Sequence, residues 1–186
     1  MHKPLIAVIG DARVDFHSKK YCLAEELGKS LIDNGYCVVT GGLHGVMEAV
    51  SKGAASSDNH QYGDILGILP GFDPSEANQY VDICIPTGLD ISRNGVVANV
   101  DAIVAIGGGA GTLSEIANAW ALFRLIIAYR DVPGWSGKLA DTRIDKRCRY
   151  PEITEDCVYG VTSAAEVILL LNKYLDIYSR RHTQVK

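Results

Sequence analysis

Three sets of residues in this chain have types and spacing suited to holding a phosphorylated ligand. The first is Ile106-Gly107-Gly108-Gly109-Ala110-Gly111-Thr112-Leu113-Ser114-Glu115, where the apolar run Ala102 to Ile106 meets consecutive glycines and then a helical pattern. Glycines at such a junction let a ligand approach the main chain, and the unpaired N–H groups at the start of a helix attract an anion. The second, Thr40-Gly41-Gly42-Leu43-His44-Gly45, repeats the theme of strand, glycines and new helix. The third is a pair of charges. Arg93 follows the turn Pro86-Thr87-Gly88 near the start of a helix, from where a guanidinium can clamp phosphate in bidentate fashion. Glu115 has two readings. With Thr112 it fits a capping box, in which each side chain satisfies the other's backbone N–H; alternatively, a carboxylate one turn into a helix beside a phosphate faces a bound sugar and acts on it.

Other chemistries find less support. No glycine is followed by Lys and Ser or Thr in the frame a Walker loop needs. Gly109-x-Gly111-x-x-Ser114 with Asp131 downstream comes nearer to a dinucleotide fingerprint, but its third glycine is Ser and the unit lies deep in the chain. No acidic or histidine pair has metal-ligand spacing, and no Ser-His-Asp order accompanies a nucleophile elbow. His44, inside the first glycine turn, is a candidate ligand contact; His2, His17, His60 and His182 read as loop or solvent positions.

The elements that must position these residues alternate regularly. Strands are expected at Pro4–Ile9, Tyr36–Val39, Ile65–Leu69, Val81–Ile85, Ala102–Ile106, Leu125–Ala128 and Val158–Val161. Helices are expected over residues 18–34, from Val46 to about Ala55, over 90–99, from Thr112 to about Phe123, and from Ser163 to about Tyr178. Inward faces are assigned to Tyr21, Ala24, Leu27, Leu31 and Ile32, to Leu113, Ile116, Ala117 and Trp120, and to Ala165, Val167, Ile168, Leu171 and Tyr174. Such alternation predicts an α/β fold with a mostly parallel sheet of about seven strands between helix layers. Residues 129–156 are irregular for so long that they are expected to be functional or to hide short helices.

At 186 residues and 47% hydrophobic composition the chain suits one domain, residues 1–178, with a basic tail at 179–186. A net charge of -4 argues against nucleic acid as the main partner. Five scattered cysteines without a C-x-x-C pair imply neither disulfides nor zinc. Leu5 to Ile9 is too short for a signal h-region and nothing approaches a membrane span, so a cytoplasmic protein is expected.

Taken together, Gly41-Gly42-x-x-Gly45-x-Met47-Glu48-Ala49, Gly67-Ile68-Leu69-Pro70-Gly71, Ala77-Asn78, Thr87-Gly88, Arg93-Asn94 and Gly108-Gly109-x-Gly111-Thr112-x-x-Glu115 resemble the Lonely Guy-like family, formerly labelled lysine decarboxylases. That family includes the molybdenum cofactor carrier proteins, and the likeness spans residues 5–130. It implies a Rossmann-like fold and a homodimer or homotetramer. It also implies a ligand-binding set of Gly10, Gly41, Gly42, Gly45, Met47, Asn94, Gly108, Gly109, Gly111 and Thr112. In the Lonely Guy enzymes, which hydrolyse the N-glycosidic bond of nucleoside 5'-monophosphates without a cofactor, the positions of Arg93 and Glu115 are catalytic. The carriers instead receive molybdopterin without turning it over. The chain departs from the enzyme pattern at Gly107 (Pro in the enzymes), Ser114 (Glu) and Asn94 (Lys), which keeps both readings in play. The decarboxylase label has no counterpart here, since no lysine has a recognisable Schiff-base context.

Overall fold

Seven strands pair side by side, all parallel: Leu5–Gly10 (β1), Cys37–Thr40 (β2), Ile65–Leu69 (β3), Ile83–Pro86 (β4), Ala102–Ile106 (β5), Leu125–Tyr129 (β6) and Tyr159–Val161 (β7). Their order is β4-β3-β2-β1-β5-β6-β7, in a computed structural model that describes residues 3–179. The order reverses direction between β1 and β5, which are in register from Ile6 opposite Ala102 to Gly10 opposite Ile106. Among the described residues five α-helices lie between strands, Lys19–Asp33 (α1), Val46–Ala55 (α2), Asn94–Ala98 (α3), Ala110–Ala121 (α4) and Trp135–Leu139 (α5), and a sixth, Ala164–Tyr174 (α6), follows β7. The expected α/β, Rossmann-like sandwich is therefore the fold. The basic tail, apart from Ser179, lies outside the described residues.

The strands read as unbroken apolar runs because both sheet faces are covered. Along β1, Ile6 and Val8 point to one core, which α1, α2 and α6 close with Leu27, Leu31, Val50 and Val167. Ala7 and Ile9 point to the other, which α3 and α4 close with Val97, Ile116, Ala119 and Trp120. In α1 the predicted inward residues are all buried.

Three expectations need correction. The buried stripe of α4 is Thr112, Glu115, Ile116, Ala119 and Trp120; Ala117 is exposed and Leu113 only half-buried. Two polar residues on that face displaced a stripe drawn from hydrophobicity. In α6 it is Ala164, not Ala165, that is buried, and the helix stops at Tyr174. Tyr178, expected to end it, instead lies in a 3₁₀ turn, where its hydroxyl donates to the Asp156 carboxylate at 2.6 Å.

The irregular segment 129–156 holds α5 and then folds back as a strap over the end of α4. Its anchor is Arg149, 1% exposed, whose Nε donates to Asp156 at 2.9 Å and Nη1 to the Arg124 carbonyl at 2.9 Å. The guanidinium lies 3.7 Å from the ring centre of Trp120. Tyr150 donates to the Phe123 carbonyl at 2.7 Å, and Trp120 Nε1 to Asp145 at 3.1 Å. A buried ion pair is strongly destabilised when one member is removed, because the other keeps its desolvation penalty. Arg149→Ala should therefore lower unfolding free energy by roughly 3–5 kcal/mol in urea titrations. Lys29→Ala, which removes the exposed pair to Asp33, should change it by less than about 0.5 kcal/mol.

Candidate functional site

In open parallel sheets, ligands sit beyond the carboxyl ends of the strands where the order reverses. Here that place lies beyond Gly10 and Ile106, and it holds a cavity of about 160 Å³. The fold brings eight of the twelve sequence candidates to its wall: Gly10, Gly41, Met47, Arg93, Asn94, Gly111, Thr112 and Glu115. Ile9, Ala12 and Leu43 complete the lining.

Arg93 comes from a 3₁₀ turn, Asp90–Arg93, that runs directly into α3. It is 9% exposed, and its Nη1 is buried without a hydrogen-bond partner among the described residues. An unsatisfied guanidinium nitrogen in such a place is costly unless something outside the chain completes it. Its seat depends on Gly41: a Cβ there would fall 2.5 Å from Nη1 and 2.6 Å from the Met47 sulfur. Glu115, 8% exposed, faces the same cavity. Burial pushes its carboxyl up to about 7, against the opposing pull of Arg93. Burial likewise lowers the pKa of Arg93, while Glu115 and Asp90 act against that shift. Among the described residues neither Arg93 nor Glu115 makes an ion pair within 4.0 Å, so the two charges attract across the cavity without closing it.

The start of α4 supplies the anion-attracting wall. The N–H groups of Gly109, Ala110, Gly111 and Thr112 find no partner among the described residues, and the first to bond is Leu113, to the Gly109 carbonyl at 3.0 Å. The capping box is not formed. The helix begins at Ala110, two residues earlier than expected, and Gly109 caps it without a side-chain bond. Thr112 Oγ1 instead donates to the Gly10 carbonyl at 3.3 Å. Glu115 is thereby left free to face the cavity.

The loop leading into α4 is fixed by residues that pattern reading did not single out. Gly107 N–H donates to Ser136 Oγ at 2.7 Å, and Gly108 N–H to Asp11 Oδ2 at 3.0 Å. Lys20 pairs with the same Asp11 oxygen at 2.5 Å. In return, Trp135 and Ser136 N–H groups bond the carbonyls of Gly108 and Gly107, each at 3.0 Å. Asp11 had a local signal in its place directly after β1; Ser136 had none.

The departures from the enzyme pattern make structural sense together. Asn94 Nδ2 donates to Ser114 Oγ at 2.7 Å, so the residues replacing Lys and Glu are partners. Gly107 has φ 68°, which proline, locked near −65°, cannot adopt. A side chain at 107 would also strike Asp11 and Lys20.

The remaining candidates lie around the cavity. Gly42 forms the turn after β2, and its carbonyl accepts from the Asn78 N–H at 2.8 Å. Gly45 lines a larger neighbouring cavity, and Gly108 and Gly109 form the entry to α4. His44 is exposed, with Nδ1 3.3 Å from Glu48. Asp131 is exposed and lines neither cavity; its carbonyl receives Lys19. Among the described residues no group of His, Cys, Asp and Glu is arranged to hold a metal ion, and no helix is long and apolar enough to cross a membrane.

A parallel sheet whose strand order reverses beside a glycine loop, a free helix N-terminus and a buried arginine defines a Rossmann-like fold with a crevice suited to an anion. Residues 3–156 match the SLOG cluster4 family, and the chain belongs to it. An uncharacterised protein of Archaeoglobus fulgidus is 38% identical over 115 residues, 61% of this chain and 72% of that one. Among solved structures, the molybdenum cofactor binding protein of Rippkaea orientalis is 29% identical with a TM-score of 0.75, covering 93% of this chain and 98% of that one. The molybdenum cofactor carrier protein of Chlamydomonas reinhardtii is 28% identical with a TM-score of 0.72, covering 94% and 99%. DNA processing protein A of Streptococcus pneumoniae, 19% identical with a TM-score of 0.60 over 90% of this chain and 61% of that one, shares the fold alone.

The raised carboxyl of Glu115 has a consequence for stability. Between about pH 4.5 and 7 the folded chain keeps a proton that the unfolded chain has lost, so stability falls as pH rises through that window. The loss, complete above about pH 7, is on the order of 3 kcal/mol. Glu115→Gln should thus unfold like the parent at pH 4 and be more stable by up to about 3 kcal/mol at pH 8. An equal effect at both pH values in denaturant titrations would refute this account.

Proposed function

We propose that the crevice between β1 and β5 binds the phosphate of a pterin-type ligand and that the protein serves as a molybdenum cofactor binding and carrier protein. The observation that carries this reading is the buried, unpartnered Arg93 Nη1 opposite the free N–H groups of α4. A phosphate between them accepts from both, and a charge-assisted bond to a guanidinium is stronger than a neutral one. The Thr112 hydroxyl and Asn94 lie on the same wall. Likeness to molybdenum cofactor binding and carrier proteins along nearly the full length of both chains supports the choice of cargo. The cofactor is cargo in this reading, and its metal needs no ligand from the crevice.

A second reading rests on Glu115. Loss of the base from a nucleoside 5'-monophosphate builds positive charge on the ribose, which a buried carboxylate stabilises while it orients the attacking water. With the carboxyl at about 7, Glu115 can exchange a proton near neutral pH. Its neighbour Arg93 is present, and the Asn94–Ser114 exchange leaves both in place.

Purified chain is incubated with molybdenum cofactor in one arm and with AMP in another. The carrier reading expects about one cofactor held per chain and recovered unchanged, with no ribose 5-phosphate from AMP. Gly41→Ala, by pushing the guanidinium from its seat, should weaken cofactor binding at least ~10-fold. Sustained ribose 5-phosphate release that disappears in Glu115→Gln would instead establish the hydrolase.

We also propose assembly as a homodimer or homotetramer in the cytoplasm. Exposed Leu89, Ile91 and Val96, clustered at the start of α3, offer an apolar surface for it. Sedimentation should find more than one chain per particle, and Ile91→Glu should shift the particle towards the monomer.

A further inference from the structure

The crevice has a second compartment. An open cavity of about 470 Å³ is lined by the loop from Ala12 to Phe16, by His44, Gly45 and Glu48 at the start of α2, and by Tyr21 of α1. Ala12 lines both this cavity and the one that holds Arg93 and Glu115, so the two adjoin at the end of β1. Its size lies within the roughly 300–1,000 Å³ usual for small-molecule sites.

Three side chains give this compartment a particular chemistry. Phe16 is 64% exposed, yet it is held by packing on Tyr21, with ring centres 4.9 Å apart. An exposed aromatic face steadied in this way is a platform for another flat ring. Tyr21 is 3% exposed, and its buried hydroxyl has no hydrogen-bond partner among the described residues. Buried hydroxyls are rarely left so, because the lost hydration is not recovered. The Glu48 side chain is 19% exposed, and its one partner among the described residues is the exposed His44. That leaves most of its accepting capacity open to the cavity.

We infer that this compartment takes the planar heterocycle of the ligand whose phosphate lies at α4, and that it selects rings with the edge shared by guanine and pterins. The inference rests on the phosphate site proposed above. That edge presents a ring N–H and an amino group side by side, two parallel donors that a carboxylate accepts together, as it does from arginine. The carbonyl beside them is an acceptor for a phenol such as Tyr21. Adenine sets a ring lone pair beside its amino group, which places an acceptor against the Glu48 carboxylate. Hypoxanthine keeps the ring N–H and loses the amino group. Phe16 contributes stacking to all three rings alike.

Calorimetry on the full chain with GMP, IMP, AMP and ribose 5-phosphate tests this. GMP should bind at least ~10-fold more tightly than IMP or AMP. Glu48→Gln should abolish the difference between GMP and IMP, and Phe16→Ala should weaken all three nucleotides by a similar factor. Neither substitution should alter the affinity for ribose 5-phosphate, which reports on the α4 site alone and on the folding of each variant. Binding of ribose 5-phosphate with equal affinities for GMP, IMP and AMP would overturn the ring compartment and leave the phosphate site standing. Failure of all four compounds to bind would overturn both.

Discussion

The structure turns on one carboxylate placed where two strands part company. β1 and β5 are paired as far as Gly10 and Ile106; beyond them the main chains leave in opposite directions, towards α1 and α4. Asp11 spans the gap by accepting the Gly108 N–H, and Lys20 holds it from the side of α1. The loop into α4 consequently has a single path. Its first glycine takes a positive φ, its carbonyls receive α5, and the N–H groups that follow find no acceptor among the described residues. Without that anchor the glycines would be free to close on themselves, and the helix start would lose its fixed aim at the crevice. A negative charge lodged beside the free N–H groups of a helix start looks contradictory. It is tolerable because Lys20 neutralises it and because it occupies the Gly108 N–H, leaving the next four without a partner among the described residues.

Polar residues on the buried face of α4 show how the site and the core share one helix. Ile116, Ala119 and Trp120 seal the sheet, and Thr112 and Glu115, a turn closer to the start, face the cavity on the same side. Burying a carboxylate with only a distant arginine for company lowers the stability of the fold, and such groups persist where a ligand or reaction uses them. The pairing of Asn94 with Ser114 is the counterpart. The two form a neutral hydrogen bond, so replacing either one alone leaves the other without this partner.

Much of this was legible in the residue pattern, for a physical reason. Strands covered on both faces are written as short apolar runs, and the glycine turns mark where they end. All seven strands and the helix starts after Gly42 and Gly109 could be found within a few residues. Arg93 and Glu115 could be named because the motifs containing them are specific, although only the structure shows that Glu115 is not half of a helix cap. Interactions between distant stretches left no local trace. Ser136 reaches Gly107 across 29 residues, and Arg149 seals Trp120 from a segment without periodicity. The same holds for Tyr21, whose spacing marks it as an inward helix residue and conceals that its hydroxyl ends unpaired beside a cavity.

The strap from Asp145 to Asp156 bears on mechanics as well as on folding. α4 is gripped at its far end by Arg149, Tyr150 and Asp145, and at its near end by the Asp11 and Ser136 contacts of the preceding loop. A rod clamped at both ends neither slides nor pivots, so the helix acts as the fixed jaw of the crevice. The opposite jaw, residues 12–16, belongs to neither strand nor helix and is mostly exposed. Any adjustment of the crevice to what enters it therefore falls to that loop rather than to α4.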